Sequence, residues 1–163
     1  MKKLLLTIIY LLTSGCDFII PLAATPELSI DARVVGLWER IKTDGKTERL
    51  LVLPFNEREY ILSWPANTEN ELLARAHLFD FSGQTLVQLQ WIGTSEDTVP
   101  DDGLIFQIAS YSMRDDTMEI RLLNPVVTGK DFQTPADLAQ AVETHLDDPA
   151  PFREAMIFHK VQA

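Results

Sequence analysis

Gln84-Thr85-Leu86-Val87-Gln88-Leu89-Gln90-Trp91-Ile92 puts Val87, Leu89 and Trp91 on one parity and Gln84, Gln88 and Gln90 on the other. A period of two belongs to a β-strand with one buried face. The pattern recurs in Arg58-Glu59-Tyr60-Ile61-Leu62-Ser63-Trp64, where Tyr60, Leu62 and Trp64 share a face. It recurs again in Thr117-Met118-Glu119-Ile120-Arg121-Leu122, with Met118, Ile120 and Leu122 together. Further strands are expected over residues 34–42, 48–55, 72–81, 104–113 and 155–161. Between them stand Thr43-Asp44-Gly45-Lys46, Asn56-Glu57 and Ser82-Gly83, residues suited to tight turns between antiparallel neighbours.

One helix interrupts the series. Thr134 is a fit N-cap, Pro135 suits the first helical position, and Asp137 completes a Thr-x-x-Asp capping pattern. Leu138, Ala141, Val142, His145 and Leu146 then form a stripe at helical spacing, and Asp147-Asp148-Pro149 ends it. The chain is therefore expected to be mainly β. It reads as an antiparallel meander of roughly eight strands, closed into a barrel or bent as a sheet, with one late α-helix.

At 163 residues, 46% hydrophobic and 23% charged, the composition fits a single globular domain. Fourteen basic against 24 acidic residues give a net charge of −10, which argues against a nucleic-acid partner. One cysteine excludes an internal disulfide framework.

That cysteine marks the N-terminal region. Met1-Lys2-Lys3 precedes an apolar run from Leu4 to Leu12, and Thr13-Ser14-Gly15-Cys16 follows. A basic start, a short apolar stretch and small residues are the parts of a secretory signal. Leu12-Thr13-Ser14-Gly15-Cys16 resembles the lipobox of bacterial lipoproteins, with Thr13 where that motif has an aliphatic residue. The resemblance implies that residues 1–15 are a signal peptide and that Cys16 becomes a lipidated N-terminus. It also implies a place in the bacterial envelope, facing the periplasm. Asp17 resembles the inner-membrane retention signal of enteric-type lipoproteins. Residues 16–33, with Pro21 and Pro26 and no periodicity, are read as the lipidated cysteine and a flexible tether. An acidic body on such a tether is expected to stand off an anionic surface. Residues 34–163 form the β domain, and a chain beginning near Asp31 is expected to fold.

Gly36-Leu37-Trp38 matches the Gly-x-Trp signature of the lipocalin-like (calycin) fold, which the strand-rich body and late helix also resemble. The chain is further similar to small bacterial lipoproteins of no known activity. The shared features are Phe55 and Tyr60, the run Arg75-Ala76-His77, and Phe158 with Lys160 in the closing strand.

Trp38, Tyr60, Trp64, Trp91 and Phe106 are candidates to line the interior. An eight-stranded barrel is barely wide enough for its own side chains, so a filled core with at most a shallow pocket near one end is expected. The alternative is a pocket for an apolar ligand. Arg75 is expected to face inward and stack on Trp38, since the calycin resemblance implies a basic residue there. His77, His145 and His159 lie in separate elements and lack metal-ligand spacing, so structural roles are expected. Glu96, Asp97, Asp101 and Asp102 fit no calcium loop and read as a solvated acidic loop. No nucleophile elbow or phosphate loop is present, so no cofactor and no catalysis are expected. What remains is a membrane-anchored module that binds a protein partner or a small apolar ligand, or an assembly accessory of an envelope complex.

Overall fold

Short turns force each strand back along the one before it. In the computed structural model, which describes residues 17–95, 103–129, 131–146 and 151–162, eight strands do this in sequence. They are β1 (Gly36–Ile41), β2 (Thr47–Pro54), β3 (Glu59–Trp64), β4 (Leu72–Phe81), β5 (Gln84–Thr94), β6 (Phe106–Arg114), β7 (Thr117–Leu122) and β8 (Met156–Lys160). Every neighbouring pair is antiparallel. β8 returns to β1 with Trp38 opposite Lys160 and Glu39 opposite His159, so the meander closes into a barrel. Closure leaves no long unpaired edge.

The turns take the backbone geometry that their residues allow. Ser82 and Gly83 both have positive φ, 51° and 79°, the signature of a two-residue hairpin turn that matches strand twist. Gly45, at φ 81°, lets the β1–β2 loop close with Gly45 N–H donating to the Lys42 carbonyl at 2.9 Å.

Between β7 and β8 lie a single turn α1 (Pro125–Thr128) and the expected helix α2 (Pro135–His145). Thr134 caps α2, its side chain accepting from Asp137 N–H at 3.2 Å. Leu138 and Val142 are the fully buried members of its stripe. They pack on the outer face of the barrel against Phe79, Leu86 and Ile108.

The segment expected as a flexible tether over residues 16–33 proves, from Asp17 onward, to be a strap laid on that same outer face. Phe18 exchanges two 3.0 Å backbone hydrogen bonds with Phe106, past the end of β7, and its ring is fully buried. Gln88, also buried, accepts from Leu22 N–H at 2.7 Å and Ala23 N–H at 3.2 Å. The cause lies in the strands: Phe79, Leu86 and Ile108 point outward, and α2 leaves part of that apolar surface open. Phe18, Ile20 and Leu22 complete the cover. Cys16 and the acidic run Glu96, Asp97, Asp101 and Asp102 lie outside the described residues.

Candidate functional site

The barrel has two dissimilar ends. One carries the β2–β3, β4–β5 and β6–β7 turns and is plugged by the chain entering β1. There Ala32–Val34 forms a 3-10 turn capped by Asp31. Tyr60 Oη accepts from Asp31 N–H at 2.5 Å, and Tyr111 Oη donates to Asp31 Oδ2 at 3.3 Å. The Arg33 guanidinium paired with Asp31 holds that carboxyl below its ordinary range. Burial beside that carboxylate pushes the Tyr111 hydroxyl up to about 12, so it remains a donor at neutral pH. Just inside, Trp38 is fully buried and its Nε1 donates to the Val34 carbonyl at 2.8 Å.

Lys160, not Arg75, supplies the cation over Trp38, with Nζ 5.1 Å from the ring centroid and 3.2 Å from the Arg33 carbonyl. Arg75 faces the opposite way. It pairs with Ile61 across β3–β4, on the outer parity, where it bonds Glu59 at 2.6 Å and lies 5.1 Å over the Phe55 ring. An inward guanidinium there would have needed a counter-charge inside an apolar wall. Phe106 likewise turns outward, into the cluster beneath the strap.

From the plugged end a cavity of about 370 Å³ runs through the barrel. Val34, Tyr60 and Phe158 bound it below, Leu62, Val87, Leu89 and Ile120 along the wall, and Trp64, Leu72 and Trp91 near the other end. The lining is overwhelmingly apolar. The expectation of a filled core with a shallow pocket is therefore corrected. Ala74, Ala76 and Ala109 occupy inward positions on β4 and β6, where larger side chains would meet across the middle. Tyr60 and Tyr111 are also drawn toward Asp31 at the plugged end rather than across the lumen. Space is left that the remaining side chains cannot reach.

The second end is open. Trp64, Leu72, Trp91 and Leu122 are half-buried there, and Arg153 and Glu154, also on the lining, are exposed. Asp17 sits at this mouth. Its Oδ2 accepts from Gln107 Nε2 at 2.7 Å and from Arg153 NH2 at 2.7 Å. Trp91 Nε1 donates to the Gly93 carbonyl at 2.6 Å, while Trp64 Nε1 has no hydrogen-bond partner among the described residues. On the adjoining strands β1 and β2, Arg40 bonds its cross-strand partner Glu48 at 2.6 Å and lies 5.5 Å over the Phe158 ring, so each of these two charges has a partner.

Thus Tyr60, Trp64 and Trp91 converge on one cavity, Trp38 is buried in the core cluster that also holds the floor residues Val34, Tyr60 and Phe158, and Arg75 is absent from the lining. Sequence reasoning missed Gln107 and Arg153 at the mouth, and it read Asp17 only as a resemblance to a sorting signal. Asp17 and Arg153 lie outside the period-two stretches that guided it, and Gln107 is a lone polar residue on an apolar face. Among the described residues no three His, Cys, Asp or Glu side chains gather to hold a metal ion. Compared with models of protein families, with characterised proteins and with solved structures, the chain matches none.

His77 is buried on the outer face under the strap, and its Nε2 has no partner among the described residues. Burial pushes its pKa below the usual 6.5, against the opposing pull of the Ala23 backbone and Glu59. The unfolded chain therefore binds a proton more readily than the folded one. The sign follows: stability is lost as pH falls below about 6.5 toward the folded value. The urea midpoint should drop between pH 7.5 and 5.5, and His77→Gln should flatten that slope. An unchanged slope in His77→Gln would place the titrating group elsewhere.

Proposed function

We propose that this protein is a lipid-anchored module of the bacterial envelope, calycin-like in kind, whose barrel takes up a small apolar ligand or a single acyl chain. The observation that carries the reading is the cavity: one end sealed, the other open, the wall apolar. Its volume of about 370 Å³ falls toward the small end of the ~300–1,000 Å³ typical of ligand sites. That size favours one slender chain over a two-chain lipid. Apart from the Tyr60 and Tyr111 hydroxyls, turned to Asp31 at the sealed end, the polar groups of the lining stand at the mouth, so an amphiphile would enter tail first and leave its head near Arg153 and Glu154. The lipobox-like Leu12-Thr13-Ser14-Gly15-Cys16 supports the anchor.

The test is titration of the delipidated protein with a fluorescent fatty acid, following transfer from tryptophan. Saturable one-to-one binding is expected. Ala74→Phe, which places a ring across the lumen, should weaken it at least tenfold, about 1.4 kcal/mol, while leaving the circular dichroism spectrum intact. Absence of binding in the unmodified protein would sink the ligand reading. Cys16→Ala should move the protein from the membrane to the soluble fraction, and persistence on the membrane would refute lipidation.

A protein partner on the outer wall is the second reading. Leu53 and Phe55 favour it, since both are large and exposed on the outer side of β2 and at its end.

A further inference from the structure

The N-terminal chain and the cavity meet at one rim. Asp17 is fixed there by Gln107 and Arg153, and Phe18 is pinned to Phe106 one residue later. Asp17 itself is at the mouth, and consecutive Cα atoms are about 3.8 Å apart, so a lipid on the residue bonded to Asp17 would start from the mouth. No slack exists from Asp17 onward to let the barrel stand off or turn over. This replaces the expected long tether with a short, oriented attachment.

Exposed isoleucines mark that end as well. Ile41 is the last residue of β1 and 78% exposed. Ile92 occupies the irregularity in β5 where Gly93 pairs with Leu73 and Trp91 with Ala74, and it is 43% exposed. Ile19 follows Phe18 beside Gly103, 44% exposed. All three stand at the open end, on different sides of the rim. Isolated exposed apolar residues are ordinary. Three spaced around the mouth of an apolar cavity, at the end where Asp17 is fixed, give that end an apolar rim.

We propose that the open end of the barrel is its membrane-facing surface, seated on a lipid bilayer with the cavity mouth toward the headgroups. The proposal rests on the anchoring and ligand readings above and adds a direction to them. Three isoleucines are too few to hold a protein on a bilayer, but beside a covalent anchor they suffice to orient it. The acidic chain is repelled by anionic headgroups, so the surface suits a zwitterionic one. In this orientation an acyl chain passes between bilayer and barrel with little exposure to water.

The experiment uses the full lipid-anchored protein on phosphatidylcholine vesicles. An environment-sensitive fluorophore is attached through Ile92→Cys at the open end or Phe55→Cys at the plugged end, and spin-labelled lipid is the quencher. Both positions are exposed, so the fold should tolerate the labels. Quenching should be several-fold stronger at 92 than at 55. Joint replacement Asp17→Asn with Arg153→Gln should shrink that contrast while the protein still floats with the vesicles. Equal quenching at the two sites, or stronger quenching at 55, in a floating protein overturns the orientation and leaves the anchor standing. A protein that does not float overturns the anchor and the orientation together.

Discussion

Trp38→Ala should cost about 3–5 kcal/mol of unfolding free energy, read as a shift of the urea midpoint at constant slope. The ring is fully buried between the floor of the cavity and the plugged end. Its Nε1 bond to the Val34 carbonyl holds the 3-10 turn in place, and the ring also carries the Lys160 ammonium on one face. Removing it would take the indole donor from the Val34 carbonyl, remove the ring beneath the Lys160 ammonium and leave a void beside Val34, Tyr60 and Phe158. Against the ~5–15 kcal/mol of a typical domain, such a loss is a large fraction of the whole. Trp38→Phe should cost less, since it keeps most of the apolar area and loses the hydrogen bond. A loss below about 1 kcal/mol for Trp38→Ala would mean that the plug is not where stability resides.

Phe18→Ala should be nearly as severe, again about 3–5 kcal/mol if the site cannot collapse. That is a strong statement about a residue two places beyond the cysteine, in a stretch that reads as linker. The phenyl ring is fully buried among Leu86, Ile108 and Leu138, on the outside of the barrel wall. Without it, the β6 backbone beyond β7 loses its apolar cover. By the same reasoning a chain starting at Asp31 lacks Phe18, Ile20 and Leu22, so the expectation that it folds unaided is revised to a markedly destabilised domain. Amide exchange gives the second readout: Phe18 and Phe106 N–H should be protected, whereas a free tether would exchange at once. A Phe18→Ala effect within ~0.5 kcal/mol would restore the tether.

The strands were legible because their signal is local. Val87, Leu89 and Trp91, or Met118, Ile120 and Leu122, announce both a strand and its buried face, and the same faces line the lumen. The Ser82-Gly83 turn and the Thr134 cap were legible for the same reason, since each is a bond between residues a few positions apart. The strap was not legible. Phe18 finds Phe106 and Leu22 finds Gln88, 66 positions away, and an extended segment held at a few distant points leaves no period. A clue did exist on the strands: Phe79, Leu86 and Ile108 are apolar on the outward parity, more than one short helix could cover. Arg75 was misplaced because β4 is apolar on both parities, and only its register with Ile61 turns the guanidinium outward. The cavity leaves no signal of its own in the sequence, because the large inward residues dominate the pattern and the alanines at 74, 76 and 109 that open the space read as ordinary strand positions.

The most direct measurement is photo-crosslinking with a fatty acid that carries a diazirine near the end of its chain, followed by peptide mapping. Adducts are expected on inward residues of the lumen such as Leu62, Leu89 and Ile120. They should disappear in Ala74→Phe. Adducts confined to the outer wall around Leu53 and Phe55, or none at all at saturating probe, would contradict a ligand-holding barrel.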